Sequence, residues 1–209
     1  WGCDLAGLSP GGVRHQTLLR GGERVVLRLI SPSGREWGQG LRASTIVLFA
    51  PTWRDGAADP TVPTEEEWRE VRDWLEANDA VLLVRNHPLG RGDFTAGPEH
   101  SERIVLIGAD LVTDLNPLLS AVDAVVTDYS SLVFDYALVG GPVVHFTPDL
   151  TDYTTRRGFY LPVAEFTGGL TRTTWSGTLT ALSAALAEGA DGPAHQHAAH
   201  LRQDFFDVL

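Results

Sequence analysis

The chain has 209 residues, of which 43% are hydrophobic and 21% are charged, and its formal net charge is −11. A chain of this length and composition buries a sizeable core, so disorder, collagen and coiled coil are excluded as descriptions of the whole. The acidic balance argues against nucleic acid as a partner, because cationic contacts to phosphate dominate that affinity. A small anionic ligand is still allowed, because it responds to the local field of a cleft.

Met and Lys are both absent, and all 16 cationic side chains are Arg. Because translation begins with Met, a chain that starts at Trp1 is expected to be a fragment or a processed product. Without Lys there is no Schiff-base, P-loop or kinase-type lysine chemistry. Any bound anion is therefore expected to be held by Arg, His, hydroxyl groups or the backbone N–H groups of a helix start. The single Cys permits no internal disulfide, which fits a reducing compartment.

The segment 1–43 is predicted to be a linker or an edge segment. Residues 25–30 have the pattern of a strand, and Gly21 with Gly22 favours a hairpin that pairs this strand with residues 16–19. A helix fits this segment nearly as well, so both interpretations stay open.

Residues 44–209 alternate apolar runs with helical patterns, which is typical of one α/β domain. The apolar runs are continuous, as in strands that are buried on both faces of a parallel sheet. We predict strands at 45–50, 81–84, 103–107, 124–126 and 142–146, and helices after Thr64, at 116–120 and 132–139, from Ser176 to Gly189, and over 193–209. The stretch between 146 and 176 is expected to be irregular. This order predicts a doubly wound, Rossmann-like parallel sheet, whose ligands bind beyond the carboxyl ends of the strands.

The sharpest local signal is the motif Thr-Asp-Tyr-Ser-Ser at 127–131, which ends a strand and opens a helix. The N–H groups and dipole of a helix start attract anions, and Ser130 and Ser131 add hydroxyl donors there. Ordinary capping by Ser is the other interpretation, and the two are compatible. Asp135 is the only charge in the apolar helix that follows. A buried carboxylate needs partners, so Asp135 is expected either to anchor a loop or to bind a ligand hydroxyl.

Further polar side chains follow the other strands. His87 comes after Arg85 at a strand end, where either side chain can neutralise a diphosphate and the imidazole can pass a proton. A purely structural role for this lone His stays open. Arg54 and Trp53 follow the first strand, with plain packing the favoured interpretation of the indole. The pair Arg156 and Arg157 follows the fifth strand, where a solvated surface is the alternative to ligand binding.

No metal site or resident cofactor is expected. His195, His197 and His200 lie close in sequence, but no nearby Cys or carboxylate set completes a ligand group. His145 lies in an apolar strand and is expected to be a core histidine. No Gly-x-Gly-x-x-Gly follows any strand and no Gly-x-Ser-x-Gly is present, which argues against a dinucleotide cofactor and a hydrolase elbow.

Several motifs in register resemble the CDP-glycerol glycerophosphotransferase family, the teichoic acid polymerases and primases. The matching pieces lie at 48–55 (LFAPTWRD), 85–88 (RNHP), 114–119 (DLNPLL), 127–136 (TDYSSLVFDY), 148–150 (PDL) with Tyr153, and 157–160 (RGFY). The resemblance implies that residues 44–209 are the C-terminal, donor-binding half of a glycosyltransferase-B architecture. It also implies transfer of polyol phosphate from a CDP-polyol, CDP-glycerol first, to a hydroxyl acceptor, with CMP leaving and no metal required.

The resemblance carries roles to particular residues. His87 would contact the donor diphosphate and help the leaving group, and Ser130 and Ser131 would bind phosphate. Asp135 would face the nucleotide, and Arg157 would lie near the phosphates. The donor-binding set that we expect is completed by Arg54, Arg85 and Asp128.

The resemblance also implies an N-terminal domain, expected to be missing from this sequence, that supplies a His as the general base and binds a membrane-linked polymer acceptor. The isolated chain is therefore expected to bind donor weakly and to turn over little. The complete enzyme is expected to be cytoplasmic and peripheral at the inner face of the cell membrane. Two alternatives stay open: the donor domain of a nucleotide-sugar glycosyltransferase, and a non-catalytic nucleotide-binding module on the same scaffold.

Overall fold

A computed structural model describes residues 15–21, 24–30, 36–54, 56–87, 89–109, 111–112 and 114–206, with side chains from residue 43 onward. The strands are β1 (His15–Gly21), β2 (Arg24–Ile30), β3 (Glu36–Ala43), β4 (Thr45–Phe49), β5 (Ala80–Val84), β6 (Ile104–Leu106), β7 (Ala124–Thr127), β8 (Val143–Phe146) and β9 (Thr171–Arg172). The helices are α1 (Glu65–Ala77), α2 (Gly97–His100), α3 (Asn116–Leu119), α4 (Leu132–Val139), α5 (Leu150–Arg156), α6 (Val163–Thr167), α7 (Trp175–Glu188) and α8 (Pro193–Phe206), with a 3₁₀ turn at Gly189–Asp191. Among these helices, none is both long and apolar enough to cross a membrane.

The first three strands form an antiparallel sheet in the order β1-β2-β3. Gly21 pairs with Arg24 at the turn, so the hairpin, not the helix, is what this segment forms. The third strand was not predicted, because the sequence of β3 (EWGQGLRA) has few apolar residues and no clear alternation.

The second sheet has six strands in the order β6-β5-β4-β7-β8-β9, and every neighbouring pair is parallel. This arrangement confirms the predicted α/β, doubly wound fold. The strand order reverses between β4 and β7, where Phe49 pairs with Val126. In such sheets the crevice beyond the carboxyl ends of the two switch strands is where ligands bind.

The sheet has a hydrophobic layer on each face, which explains why its strands read as continuous apolar runs. In β4, Ile46 and Leu48 join the layer that contains α4 and α8 residues, whereas Val47 and Phe49 join the layer that contains α1 and α7 residues. All four side chains are essentially inaccessible to solvent. The sheet is therefore rigid under its carboxyl edge, which is where the predicted site residues lie.

Two predicted helix boundaries are confirmed. Thr64 and Glu67 form the expected capping box at the start of α1, since the Thr64 side chain accepts from the Glu67 N–H and the Glu67 carboxylate accepts from the Thr64 N–H. Helix α4 ends at Gly140, whose φ of 82° is the left-handed conformation that glycine tolerates best. The next residue, Gly141, lies against the Tyr136 hydroxyl, so a side chain there would collide with that ring.

Two predictions differ from the structure in detail, and part of a third lies outside the described residues. The stretch 147–174 is not irregular, because it contains α5, α6 and β9. These elements are short, and α5 buries no residue, so they leave no apolar period to read. Helix α3 covers Asn116–Leu119 and ends one residue before the predicted end at 120. The expected final helix is present over Pro193–Phe206, and its predicted end at 207–209 lies outside the described residues.

Candidate functional site

Four loops meet at the carboxyl edge of the six-stranded sheet, around the β4–β7 switch. Residues 50–54 follow β4, His87 follows β5, residues 128–131 follow β7, and residues 147–160 follow β8. A series of side-chain contacts connects these loops, and four of the predicted site residues lie along it: Arg54, His87, Asp128 and Arg157.

Arg54 lies at the centre of the contacts. Its Nε and Nη2 donate to the two carboxylate oxygens of Asp149 at 2.7 and 2.9 Å, a bidentate pair. Its Nη2 also lies 2.9 Å from Oδ2 of Asp128. Arg54 and Asp128 are 8% and 0% exposed. These ion pairs fasten together the loops after β4, β7 and β8. Asp149 belongs to the PDL motif at 148–150, but nothing in the sequence indicates its role.

Asp128 shapes the turn that leads into α4. Its Oδ1 accepts from the backbone N–H of Thr52 at 2.8 Å and from that of Tyr129 at 2.6 Å. Burial raises the pKa of Asp128, while the positive charge of Arg54 and these hydrogen bonds act in the opposite direction. Because Arg54 and Asp128 already bind each other, their first role is to build the crevice, and direct contact of either with a donor stays a prediction.

Asp149 carries the second negative charge at Arg54. Although partial burial acts to raise it, hydrogen bonding and charge from Arg54, helped by the Tyr129 hydroxyl, hold the pKa of Asp149 below its usual value. The Tyr129 hydroxyl donates to Oδ1 of Asp149 at 3.0 Å. Together the three charged groups carry a formal −1, so an anion in this crevice needs other cations to hold it.

Aromatic rings close one side of the crevice. Tyr129 stacks on Tyr153 with ring centroids 3.8 Å apart, and Phe159 meets Tyr129 edge-on at 5.5 Å. The Arg54 guanidinium carbon lies 5.0 Å from the Tyr129 centroid and 5.2 Å from that of Tyr153. This packing fixes α5 and the segment after it beside the start of α4, although α5 itself is exposed.

His87 and Arg157, both predicted to bind phosphate, are brought together by Trp53. The His87 ring stacks with the Trp53 indole at a centroid distance of 5.8 Å and an angle of 16°. The Arg157 guanidinium carbon lies 4.7 Å from the centroid of the same indole. Nδ1 of His87 accepts from the Leu89 N–H at 3.1 Å, which assigns the proton of the neutral ring to Nε2.

The start of α4 differs from ordinary serine capping. Ser131 holds the N-cap position, but its side chain makes no capping hydrogen bond and is exposed. The Ser130 hydroxyl instead accepts from the Leu132 N–H at 3.3 Å. The capping interpretation is therefore wrong for Ser131, and the predicted binding of phosphate by both serines stays a prediction.

Two other predicted residues have different surroundings from those expected. Arg85 donates through Nη1 to the carbonyl oxygens of Ile107 and Val112, at 2.8 and 2.6 Å, and so holds the loop after β6. Asp135 is exposed, so the expectation of a buried carboxylate is wrong. Helix α4 buries Val133 and its neighbours at 136 and 137, and this spacing leaves position 135 on the outer face. Contact of Arg85 or Asp135 with a donor stays a prediction.

His145 is buried in β8 and contacts the loop after β7, which confirms the prediction of a core histidine. Its Nδ1 lies 3.0 Å from the Asp128 carbonyl oxygen, to which it can only donate. Desolvation by burial lowers the pKa of His145 to about 4, and the nearby His197 adds to the effect. Among the described residues there is no group of three or more His, Cys, Asp or Glu that could hold a metal ion.

The low pKa of His145 predicts a loss of stability in acid. The unfolded chain binds a proton at this residue below pH 6.5, whereas the folded chain does so only below about pH 4. The free energy of unfolding should therefore fall by about 3 kcal/mol as the pH is lowered through this window. Urea unfolding at pH 7.5, 5.5 and 4.5 measures this fall in the free energy of unfolding, and His145→Gln is the control that cannot titrate. An equal pH dependence in both proteins would contradict the assignment.

Comparison with known proteins agrees with the fold. A family model described as CDP-Glycerol:Poly(glycerophosphate) glycerophosphotransferase matches residues 38–206. The chain is 30% identical over 131 residues to the teichoic acid ribitol-phosphate polymerase TarL of Staphylococcus aureus, covering 62% of this chain and 23% of that protein. It is 30% identical over 139 residues to the teichoic acid poly(glycerol phosphate) polymerase of Bacillus subtilis, covering 64% of this chain and 18% of that protein.

A solved structure of the wall teichoic acid polymerase TagF has the same fold over most of the chain. It superposes with a TM-score of 0.59 at 26% identity, covering 78% of this chain and 39% of that one. The chain spans about a fifth of the two curated relatives and two fifths of the solved one. Since the family model covers four fifths of the sequence, including every predicted site residue, the chain belongs to the CDP-glycerol:poly(glycerophosphate) glycerophosphotransferase family.

Proposed function

We propose that this chain is the donor-binding half of a transferase that makes a teichoic-acid-like polymer. The enzyme would move polyol phosphate from a CDP-polyol to a hydroxyl group at the end of the polymer and release CMP. CDP-glycerol is the first donor to test, because the family description names it and a TagF crystal was soaked with CDPG. CDP-ribitol is its close competitor, because relatives of similar identity are named as ribitol-phosphate polymerases.

The observation that carries the proposal is the contact series from His87 to the start of α4. His87 stacks with Trp53, the neighbouring Arg54 pairs with Asp128, and Asp128 begins the turn that presents Ser130 and Ser131. A helix start with hydroxyl groups, at the same sheet edge as the His87 imidazole and the Arg157 guanidinium, suits a diphosphate. All of it lies at the strand-order reversal, where α/β sheets bind nucleotides.

The proposed reaction is an in-line displacement at phosphorus. The acceptor hydroxyl oxygen attacks the donor phosphorus that carries the polyol, and the bond from that phosphorus to the bridging oxygen breaks. The bridging oxygen leaves with the electron pair as part of CMP, and the acceptor's proton goes to a base. The remaining catalysis is positioning and stabilisation of the charge that develops on the bridging oxygen.

His87 is the residue that we assign to the leaving group. With Nδ1 occupied by the Leu89 N–H, its Nε2–H is the group that can donate a hydrogen bond to the bridging oxygen. Arg157 offers the neighbouring positive charge through a bidentate guanidinium. The charge of Arg157 would also offset the formal −1 of Arg54, Asp128 and Asp149.

We further propose that the acceptor and its base come from a second domain, as the chain covers only 39% of the solved TagF chain. The acceptor would be a membrane-linked polymer, and the whole enzyme would work peripherally at the cytoplasmic face of the membrane. This chain alone would then bind donor without appreciable turnover.

A calorimetric titration of the chain with CDP-glycerol, CDP-ribitol, CMP and a UDP-sugar tests the donor. The two CDP-polyols are expected to bind at least about ten-fold more tightly than the UDP-sugar. CMP should bind more weakly than both, because it lacks the second phosphate.

Each other outcome contradicts the proposal in a different way. Preference for the UDP-sugar would indicate a nucleotide-sugar glycosyltransferase. The absence of any nucleotide binding up to millimolar concentration, in the intact protein as well, would indicate a non-catalytic module.

A further inference from the structure

We propose that Trp53 is a positioning residue, whose indole ring holds the Arg157 guanidinium and the His87 imidazole where the donor diphosphate binds. The identity of the ligand rests on the proposed function, whereas the arrangement of the three side chains rests on the described contacts. Sequence alone favours plain packing for this tryptophan, and the structure argues against that interpretation.

Packing does not account for the place of the Trp53 ring. The side chain is only partly buried, and it belongs to neither of the two hydrophobic layers formed by the described residues. Its ring neighbours are a guanidinium and an imidazole, both polar groups. A ring used only to fill space would be expected to contact aliphatic or aromatic core side chains.

The residues before and after Trp53 in the chain both bind side chains of the crevice. Thr52, the residue before it, donates its N–H to Asp128, and Arg54, the residue after it, pairs with Asp128 and Asp149. The backbone of Trp53 is therefore held by buried ion pairs. The Trp53 indole, called the platform below, is therefore expected to keep its orientation when a ligand binds.

The platform acts on Arg157 by restricting the motion of its side chain. Arg157 is exposed, and an exposed arginine loses much side-chain entropy when it binds a ligand. Its guanidinium carbon lies 4.7 Å from the indole centroid, within the range of a cation–π contact. Part of the ordering of the Arg157 side chain is thus complete before the donor binds. Because less side-chain entropy is then lost on binding, the affinity for a diphosphate is higher.

The platform acts on His87 by fixing its plane. The stacking angle of 16° sets the ring plane, and the Leu89 N–H at Nδ1 sets its rotation and its tautomer. Nε2–H is then aimed by two contacts from two different loops. Loss of the indole should misdirect this hydrogen-bond donor even where the backbone is unchanged.

A double-mutant cycle on donor binding tests the link to Arg157. Trp53→Leu is expected to weaken CDP-glycerol binding by about 3- to 30-fold, the range of cation–π contacts. In an Arg157→Gln background the same substitution should have little further effect. Trp53→Phe should restore most of the affinity. Trp74→Leu is the matched control, since Trp74 is also partly buried but lies near the far end of α1, where it bonds Ser183.

Two further measurements separate this inference from the proposed function. Without ligand, the Arg157 Nε–H resonance should carry a ring-current shift that Trp53→Leu abolishes and Trp53→Phe partly keeps. In the intact enzyme, Trp53→Leu should lower kcat at saturating donor as well as affinity, because His87 is misdirected, and Trp53→Phe should recover kcat.

The inference is overturned by an Arg157 resonance without the shift, by additive effects of Trp53→Leu and Arg157→Gln, or by a Phe variant no better than the Leu variant. If another nucleoside diphosphate binds in place of CDP-glycerol, the proposed donor fails and the cycle is decided with that ligand. If no diphosphate binds, both proposals fail.

Discussion

Replacement of His87 by alanine should lower kcat of the intact enzyme by about 10²- to 10³-fold, the usual cost of losing one hydrogen-bond donor to a developing oxyanion. The physical reason is the loss of the Nε2–H that we propose donates a hydrogen bond to the leaving bridging oxygen. Donor affinity should change less than kcat, because Arg157 and the start of α4 remain. Steady-state kinetics at saturating donor, with release of CMP as the signal, measures kcat.

His200→Ala is the matched control for this experiment. His200 is 60% exposed and pairs only with Asp204 on the same helix among the described residues, so its removal should leave kcat within about two-fold. If His87→Ala also retains kcat within about three-fold, His87 is a structural histidine, and the assignment of the leaving-group role is wrong.

Replacement of Arg54 by methionine should destabilise the chain by about 3 to 5 kcal/mol, as is typical when one partner of a buried ion pair is removed. The substitution keeps most of the side-chain volume but leaves Asp128 and Asp149 without their cation. Urea unfolding monitored by circular dichroism measures the change in the free energy of unfolding. Donor affinity should fall as well, because three of the four site loops lose their common anchor.

Arg72→Met makes the same chemical change at an exposed pair. Arg72 and Asp73 are 34% and 65% exposed, and exposed pairs contribute about 0 to 1 kcal/mol. A destabilisation by Arg54→Met no larger than that of Arg72→Met would show that the buried pairs do not hold the loops. A variant that is too unstable to purify at 25 °C would agree with the expected size.

The sheet and its carboxyl edge could be predicted from the sequence because the governing signals are local. A run such as TIVLF at β4 is buried on both faces, and no other element needs to be known to recognise it. The capping box at Thr64 and the left-handed Gly140 are likewise read within a few residues. His87, Trp53 and residues 128–131 were placed correctly at the edge for the same reason, since each directly follows such a strand.

The chemistry of the edge could not be predicted as well, because it depends on partners far apart in the chain. Arg54 and Asp149 are 95 residues apart, and neither sequence neighbourhood indicates a bidentate pair. As long as that pair is not known, the sequence indicates that Arg54 is a cation available to bind phosphate. Asp135 was misjudged for a related reason: a short, wholly apolar helix has no evident polar face, so the burial of each position depends on what packs against it.

The β4–β7 switch also has a consequence for the order of folding. Within each half of the sheet, paired strands come from nearby parts of the chain, as with Thr45 and Ala80 or Val125 and Val143. Across the switch, the contact between the Ile46 N–H and Asp123 joins residues 77 apart. Closing that longer loop costs more chain entropy, so the two halves are expected to form before they join. The crevice at the β4–β7 switch lies between the two halves, and a ligand that contacts both halves would slow unfolding by holding together the last contacts made.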